Sequence, residues 1–171
     1  KVDNKMMAVS AGVTGFLFKA EKQVERDGIV MGVLENGMPY LSESGLARMC
    51  GVARSTIQAR AASWHSKKQT KVDDEIAGLL NSKGFDSDEL FIQVEINGSR
   101  TNAYTEPVCM ALLEFYAFGS GGPKVEALQA CRKLLSISFR AMVYQAVNYH
   151  PQSTVIENLK RWGDRVDLTK D

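Results

Sequence analysis

Between Gly28 and Leu41 the apolar positions fall into two short runs, Ile29 to Leu34 and Met38 to Leu41, parted by Glu35-Asn36-Gly37. Asn-Gly supplies the positive φ angles that a tight turn demands, so the pattern predicts a β-hairpin. Pro39 lacks a backbone N–H, which places its strand at a sheet edge. Leu90 to Ile96 is the clearest strand in the chain, and Asn97-Gly98 turns it back into Thr101 to Tyr104 as a second hairpin. The spacing then changes to that of helices. Ser42 caps a helix that begins at Glu43 and ends at Gly51, and a second runs from Ala53 or Arg54 to Trp64. Ser66 to Lys71 reads as a polar loop. Asp73-Asp74-Glu75 complement the dipole at the start of a third helix, Ile76 to Ser82, closed by Gly84.

Thr105 and Pro107 mark the start of a helix that carries Val108 to Phe118 and is stopped by Gly119-Ser120-Gly121-Gly122. Pro123 opens the longest helix, reaching Tyr149, with apolar residues over more than one narrow stripe. Such a helix needs partners on more than one side, either as the central core helix or as a dimer interface. Thr154 and Glu157 form a capping box for a last helix, Val155 to Trp162, before a polar tail. These elements predict a single α+β domain, mainly helical, with a helix-turn-helix and two small β-hairpins. The expected organisation is an N-terminal docking segment over 1–27, the helix-turn-helix domain over 28–150, and a short helix and tail over 151–171.

Composition narrows the class. The chain has 171 residues, 44% hydrophobic and 24% charged, enough to bury a real core and unlike a disordered or fibrous protein. No run approaches the roughly 18 apolar residues of a membrane span. Met6 to Phe18 imitates the apolar part of a signal peptide without a clear small-residue cleavage site, so it is read as a buried or docking segment. Cys50, Cys109 and Cys131 lack paired spacing, and His65 and His150 are far apart. Buried thiols in a reducing cytoplasm are expected, rather than a disulfide framework or a zinc site.

Charge is unevenly spread. From Ser44 to Lys71 there are six basic residues (Arg48, Arg54, Arg60, Lys67, Lys68 and Lys71) and no Asp or Glu, although the whole chain carries only +1. A local field of that sign attracts a polyanion. An ordinary solvated basic face has the same composition, but this stretch coincides with a second signal.

That signal is Leu41-Ser42-Glu43-Ser44-Gly45-Leu46-Ala47-Arg48-Met49-Cys50-Gly51-Val52-Ala53-Arg54-Ser55-Thr56-Ile57-Gln58. It resembles a helix-turn-helix of the DNA-binding kind. Two short helices that cross steeply need a small contact residue, Ala47, and a turn residue tolerant of positive φ, Gly51. Leu46, Cys50, Val52 and Ile57 occupy positions that face the core. Three residues after Ile57 the pattern usually has another apolar residue, whereas this chain has Arg60, so Ala61 and Trp64 are expected to pack instead.

The resemblance implies that the second helix lies in the major groove. Arg54, Ser55 and Gln58 are then the base-reading candidates, since Gln pairs bidentately with adenine and Arg with guanine. Arg48, Arg60, Lys67 and Lys68 are candidate phosphate contacts, and Thr56 serves either role. The Asn97-Gly98-Ser99-Arg100 turn ends in an Arg that could enter a minor groove as a wing, but its acidic surroundings favour a structural hairpin. The wider order of elements is similar to the N-terminal parts of phage and prophage antirepressors of the KilA-N and BRO-like groups, which bind DNA or a partner repressor. The expected function is sequence-dependent binding of double-stranded DNA as a bacterial or phage transcription regulator. The alternative is a protein-binding antirepressor or adaptor that engages another regulator. Self-pairing into a homodimer fits both. The sequence lacks a phosphate-binding Gly-rich loop, a nucleophile elbow and paired metal-ligand spacing, so neither catalysis nor a cofactor is expected.

Overall fold

The computed structural model describes residues 18–64, 66, 70–86 and 88–150. The chain opens with β1 (Phe18–Arg26), which pairs antiparallel with β2 (Ile29–Leu34). Between them Asp27 and Gly28 take φ angles of 53° and 75°, the pair of left-handed residues a two-residue hairpin turn requires. β2 pairs in turn with β3 (Pro39–Ser42) across the Asn36-Gly37 turn. Three helices follow, α1 (Glu43–Cys50), α2 (Arg54–Trp64) and α3 (Lys71–Ser82). The hairpin of β4 (Ile92–Ile96) and β5 (Ser99–Thr105) precedes α4 (Glu106–Phe118) and α5 (Val125–Ala146).

The two hairpins of the sequence reading are not separate. β3 pairs antiparallel with β5, setting Tyr40 opposite Thr105, and β1 meets β4 in parallel through Phe18 opposite Val94. All five strands thereby close into one barrel in the order β1-β2-β3-β5-β4. This overturns the expectation of a mainly helical domain carrying two small hairpins. The pairings that close the barrel join residues far apart in sequence, and a local pattern does not encode them. Closure also removes sheet edges. Pro39 heads an interior strand, at the first position where a missing N–H is tolerated.

Inside the barrel Leu34, Tyr40, Val94 and Ala103 are buried, with Phe18, Ala20, Met38, Ile92 and Ile96 packed against them. The Tyr40 hydroxyl donates to Gln23 Oε1 at 2.9 Å, so its polar end is satisfied. Lys22 to Arg26 are exposed, which explains why the outer part of β1 looks polar in sequence.

A second apolar mass lies among the helices. α4 is its centre, with Val108, Ala111, Leu112, Leu113 and Phe115 at most 1% exposed. It packs against α1, α3 and the strands β3 and β5. The stretch that supplies β1 belongs to the segment read as a docking region over 1–27. α3 starts a turn earlier than its apolar spacing suggests. Thr70 caps it, accepting from the Asp73 N–H, while Asp73 Oδ2 accepts from the Thr70 N–H at 2.9 Å. The expected helix over Val155 to Trp162 lies outside the described residues.

Contacts divide the chain after Arg132. In the first unit, Ala127 and Cys131 of α5 are buried. In the second, α5 ends at Ala146, and the turn after it holds Asn148 at a φ of 52° and sets the Tyr149 ring edge-on to Tyr144 at 5.0 Å. Among the described residues, no helix is long and apolar enough to cross a membrane.

Candidate nucleic-acid interface

α1 begins with a true cap: Ser42 Oγ accepts from the Gly45 N–H at 3.0 Å. It ends at Gly51, where φ is 71° and ψ is 32°. That left-handed turn redirects the chain within three residues into α2. Leu46, Cys50 and Ile57 are fully buried, and Ala47 and Ala61 nearly so. Ile57 and Ala61 are four residues apart, so they share the inner face of α2. Trp64 is half-buried on the same side of the spacing. Of the apolar positions assigned from sequence, Leu46, Cys50 and Ile57 are buried and Val52 is half-buried, while Ala61 packs inward where Arg60, three residues after Ile57, does not take the apolar place.

The opposite face of α2 meets solvent. Arg54, Ser55 and Gln58 are exposed, as are Ala59 and Ala62, while Thr56 is half-buried. Arg48 is exposed on α1, and its guanidinium lies against the backbone of Gly28 in the β1–β2 turn.

Arg60 sits differently. It is half-buried, its Nη1 lies 3.8 Å from Asp73 Oδ1, and its guanidinium stands 5.9 Å from the centre of the Phe115 ring. It joins α2 to α3 and α4 instead of projecting beside Gln58. Asp73 is only 1% exposed. Burial raises its pKa, but hydrogen bonds from Thr70 and Ser63 and the charge of Arg60 more than offset this, leaving it below the usual range. Lys67 and Lys68 lie outside the described residues.

The reader candidates rest on a residue the sequence reading assigned only to the helix start. Glu43 is 6% exposed, at the first turn of α1. Its Oε1 accepts from Arg54 Nε at 2.9 Å and its Oε2 from the Tyr104 hydroxyl at 2.8 Å. The Gln58 amide also favours its charged form. Burial works against the charged form of Glu43. The hydrogen bonds from Arg54, Tyr104 and Gln58 overcome it and hold the carboxyl below its ordinary pKa. The same contact, with burial as the larger cause, pushes the Tyr104 phenol well up. One anion thus ties together α1, the start of α2 and strand β5.

Arg54 spends one of its five donors on this contact while its side chain stays 62% exposed. What remains is an outward row of guanidinium, hydroxyl and amide from Arg54, Ser55 and Gln58, its base held by a buried carboxylate. The chain matches no family model, no curated protein and no solved structure.

The chemistry of this row is that of binding groups. Cys50, Cys109 and Cys131 are all buried free thiols, and burial pushes Cys50 up to about 12 and the other two upward as well. Such thiols are poor nucleophiles. Among the described residues, no cluster of three potential metal ligands occurs. The Asn97-Gly98 turn joins β4 and β5 of the barrel, and exposed Arg100 is opposite Glu95 in the register.

Proposed function

We propose that this protein binds double-stranded DNA in a sequence-dependent manner through α2, as a transcription regulator of bacterial or phage type working in the cytoplasm. The observation that carries the reading is the outward row of Arg54, Ser55 and Gln58 on a helix whose inner face, Ile57 and Ala61, is packed. An α-helix fits the major groove, where an amide matches adenine and a guanidinium matches guanine. Arg48, exposed on α1, is the candidate for a phosphate contact, since the first helix of such a pair crosses the backbone. Within the basic stretch from Ser44 to Lys71, exposed Arg48, Arg54 and Lys71 would attract the duplex, whereas Arg60 is turned inward to Asp73.

Selection from a randomised duplex library tests the reading. The wild type should enrich a defined motif. Gln58→Ala should lose preference at one base position by about 1–3 kcal/mol, or roughly 5- to 150-fold, while leaving the rest of the motif intact. A wild-type protein that enriches nothing contradicts the proposal. If it instead captures a repressor protein and ignores DNA, the adaptor reading takes its place.

A further inference from the structure

α5 does not end where its packing ends. In the second unit α5 carries Leu135, Phe139, Met142 and Ala146 along one face, spaced four, three and four residues apart. That is the spacing of a helix that meets another helix along a seam. Leu135 and Phe139 are each 67% exposed and Met142 is 59% exposed. A helical stretch of this length is marginal in water without tertiary packing. We propose that this stripe is the interface through which two copies of the chain pair, related by a two-fold axis.

Area and charge both favour a second copy. From Lys133 to His150 there is no acidic residue, and the two strongly basic side chains, Lys133 and Arg140, lie on the far side of the helix from the stripe. From Leu135 to Ala146 the seam itself carries no charge, Arg132 standing only at its N-terminal margin. Leu135, Phe139 and Met142, with Val143 and Ala146 beside them, leave on the order of 400–500 Å² of apolar surface open, about the apolar share of the ~800 Å² that each partner contributes to a standard interface. A two-fold pairing uses the same patch twice and closes on itself. A lipid surface fits less well. An interfacial helix needs a strongly polar back, and here Ile137, 60% exposed, and Tyr144 interrupt the side that holds Lys133 and Arg140.

Sedimentation velocity of the full chain over a concentration series, without DNA, decides the matter. The wild type should run at twice its chain mass of 18.9 kDa. Phe139→Asp combined with Met142→Asp should halve that mass, Leu135→Gln should weaken the pairing in the same direction, and Lys133→Asp on the far side should leave it whole. Circular dichroism checks that each variant keeps its helices. A wild type of single-chain mass at every concentration overturns the proposal, as does a stripe variant that still pairs. Binding of a single-chain wild type to phosphatidylglycerol vesicles would assign the stripe to a membrane surface and overturn it too. No DNA enters the measurement, so its outcome stands apart from that of the DNA reading.

Discussion

Glu43 accepts from Arg54 and Tyr104 at once, so its removal strips two donors of one acceptor. Tyr104 is fully buried and would be left with an unmatched hydroxyl. Glu43→Ala should therefore destabilise the fold by roughly 1.5–3 kcal/mol, measured by urea denaturation. A loss below about 0.5 kcal/mol would show that the cluster contributes little. Acid should act on the same groups. Both Glu43 and Asp73 have pKa values held below the ordinary range in the fold. A carboxylate of that kind stabilises the fold above its unfolded pKa, and its contribution fades as pH falls through the folded value. Stability should hold from neutral pH down to about 4–5 and then decline. Glu43→Gln with Asp73→Asn should flatten that decline. The sequence showed Glu43 only as a helix-start acid, because its partners lie 11 and 61 residues away. Gly51 and Ile57 were legible because their roles are local: a turn angle and a place in a helical spacing.

Gly51 carries the geometry of the helix pair, at a φ of 71° that side chains rarely adopt. A Cβ there would also run into the Glu126 side chain. Gly51→Ala should cost about 1–2 kcal/mol and weaken DNA binding in step, read by thermal melting and by a binding titration. Thr70→Ala removes the cap of α3 and should cost about 1 kcal/mol with no effect on base preference. Helix positions came through well in the sequence, since apolar spacing, caps and glycines are near-neighbour signals. α3 began early because Thr70-x-x-Asp73 is a capping box that the apolar pattern does not mark. β1 was passed over because most of its side chains face solvent, although Asp27-Gly28 before an apolar run is itself a hairpin signal.

At the scale of the whole chain, the barrel and the helical core divide the work. The barrel offers a closed support, and α2 exposes Arg54, Ser55 and Gln58 together. Closure depends on β1 meeting β4 and β3 meeting β5, contacts that span the chain and leave no trace in any short window. The basic field, by contrast, was read directly from Ser44 to Lys71. Replacing both Lys67 and Lys68 with Ala should weaken binding to all duplexes alike and lower the salt dependence by about one unit of slope per lysine. A loss confined to particular sequences would instead make them readers.

The most direct measurement is fluorescence polarisation of a labelled duplex against the full chain, repeated from roughly 50 to 200 mM salt. Contact with about six phosphates predicts tight binding at low salt and a log–log slope of about −5. Absence of binding at low salt, or an affinity that salt leaves unchanged, would contradict a role for α2 in reading DNA.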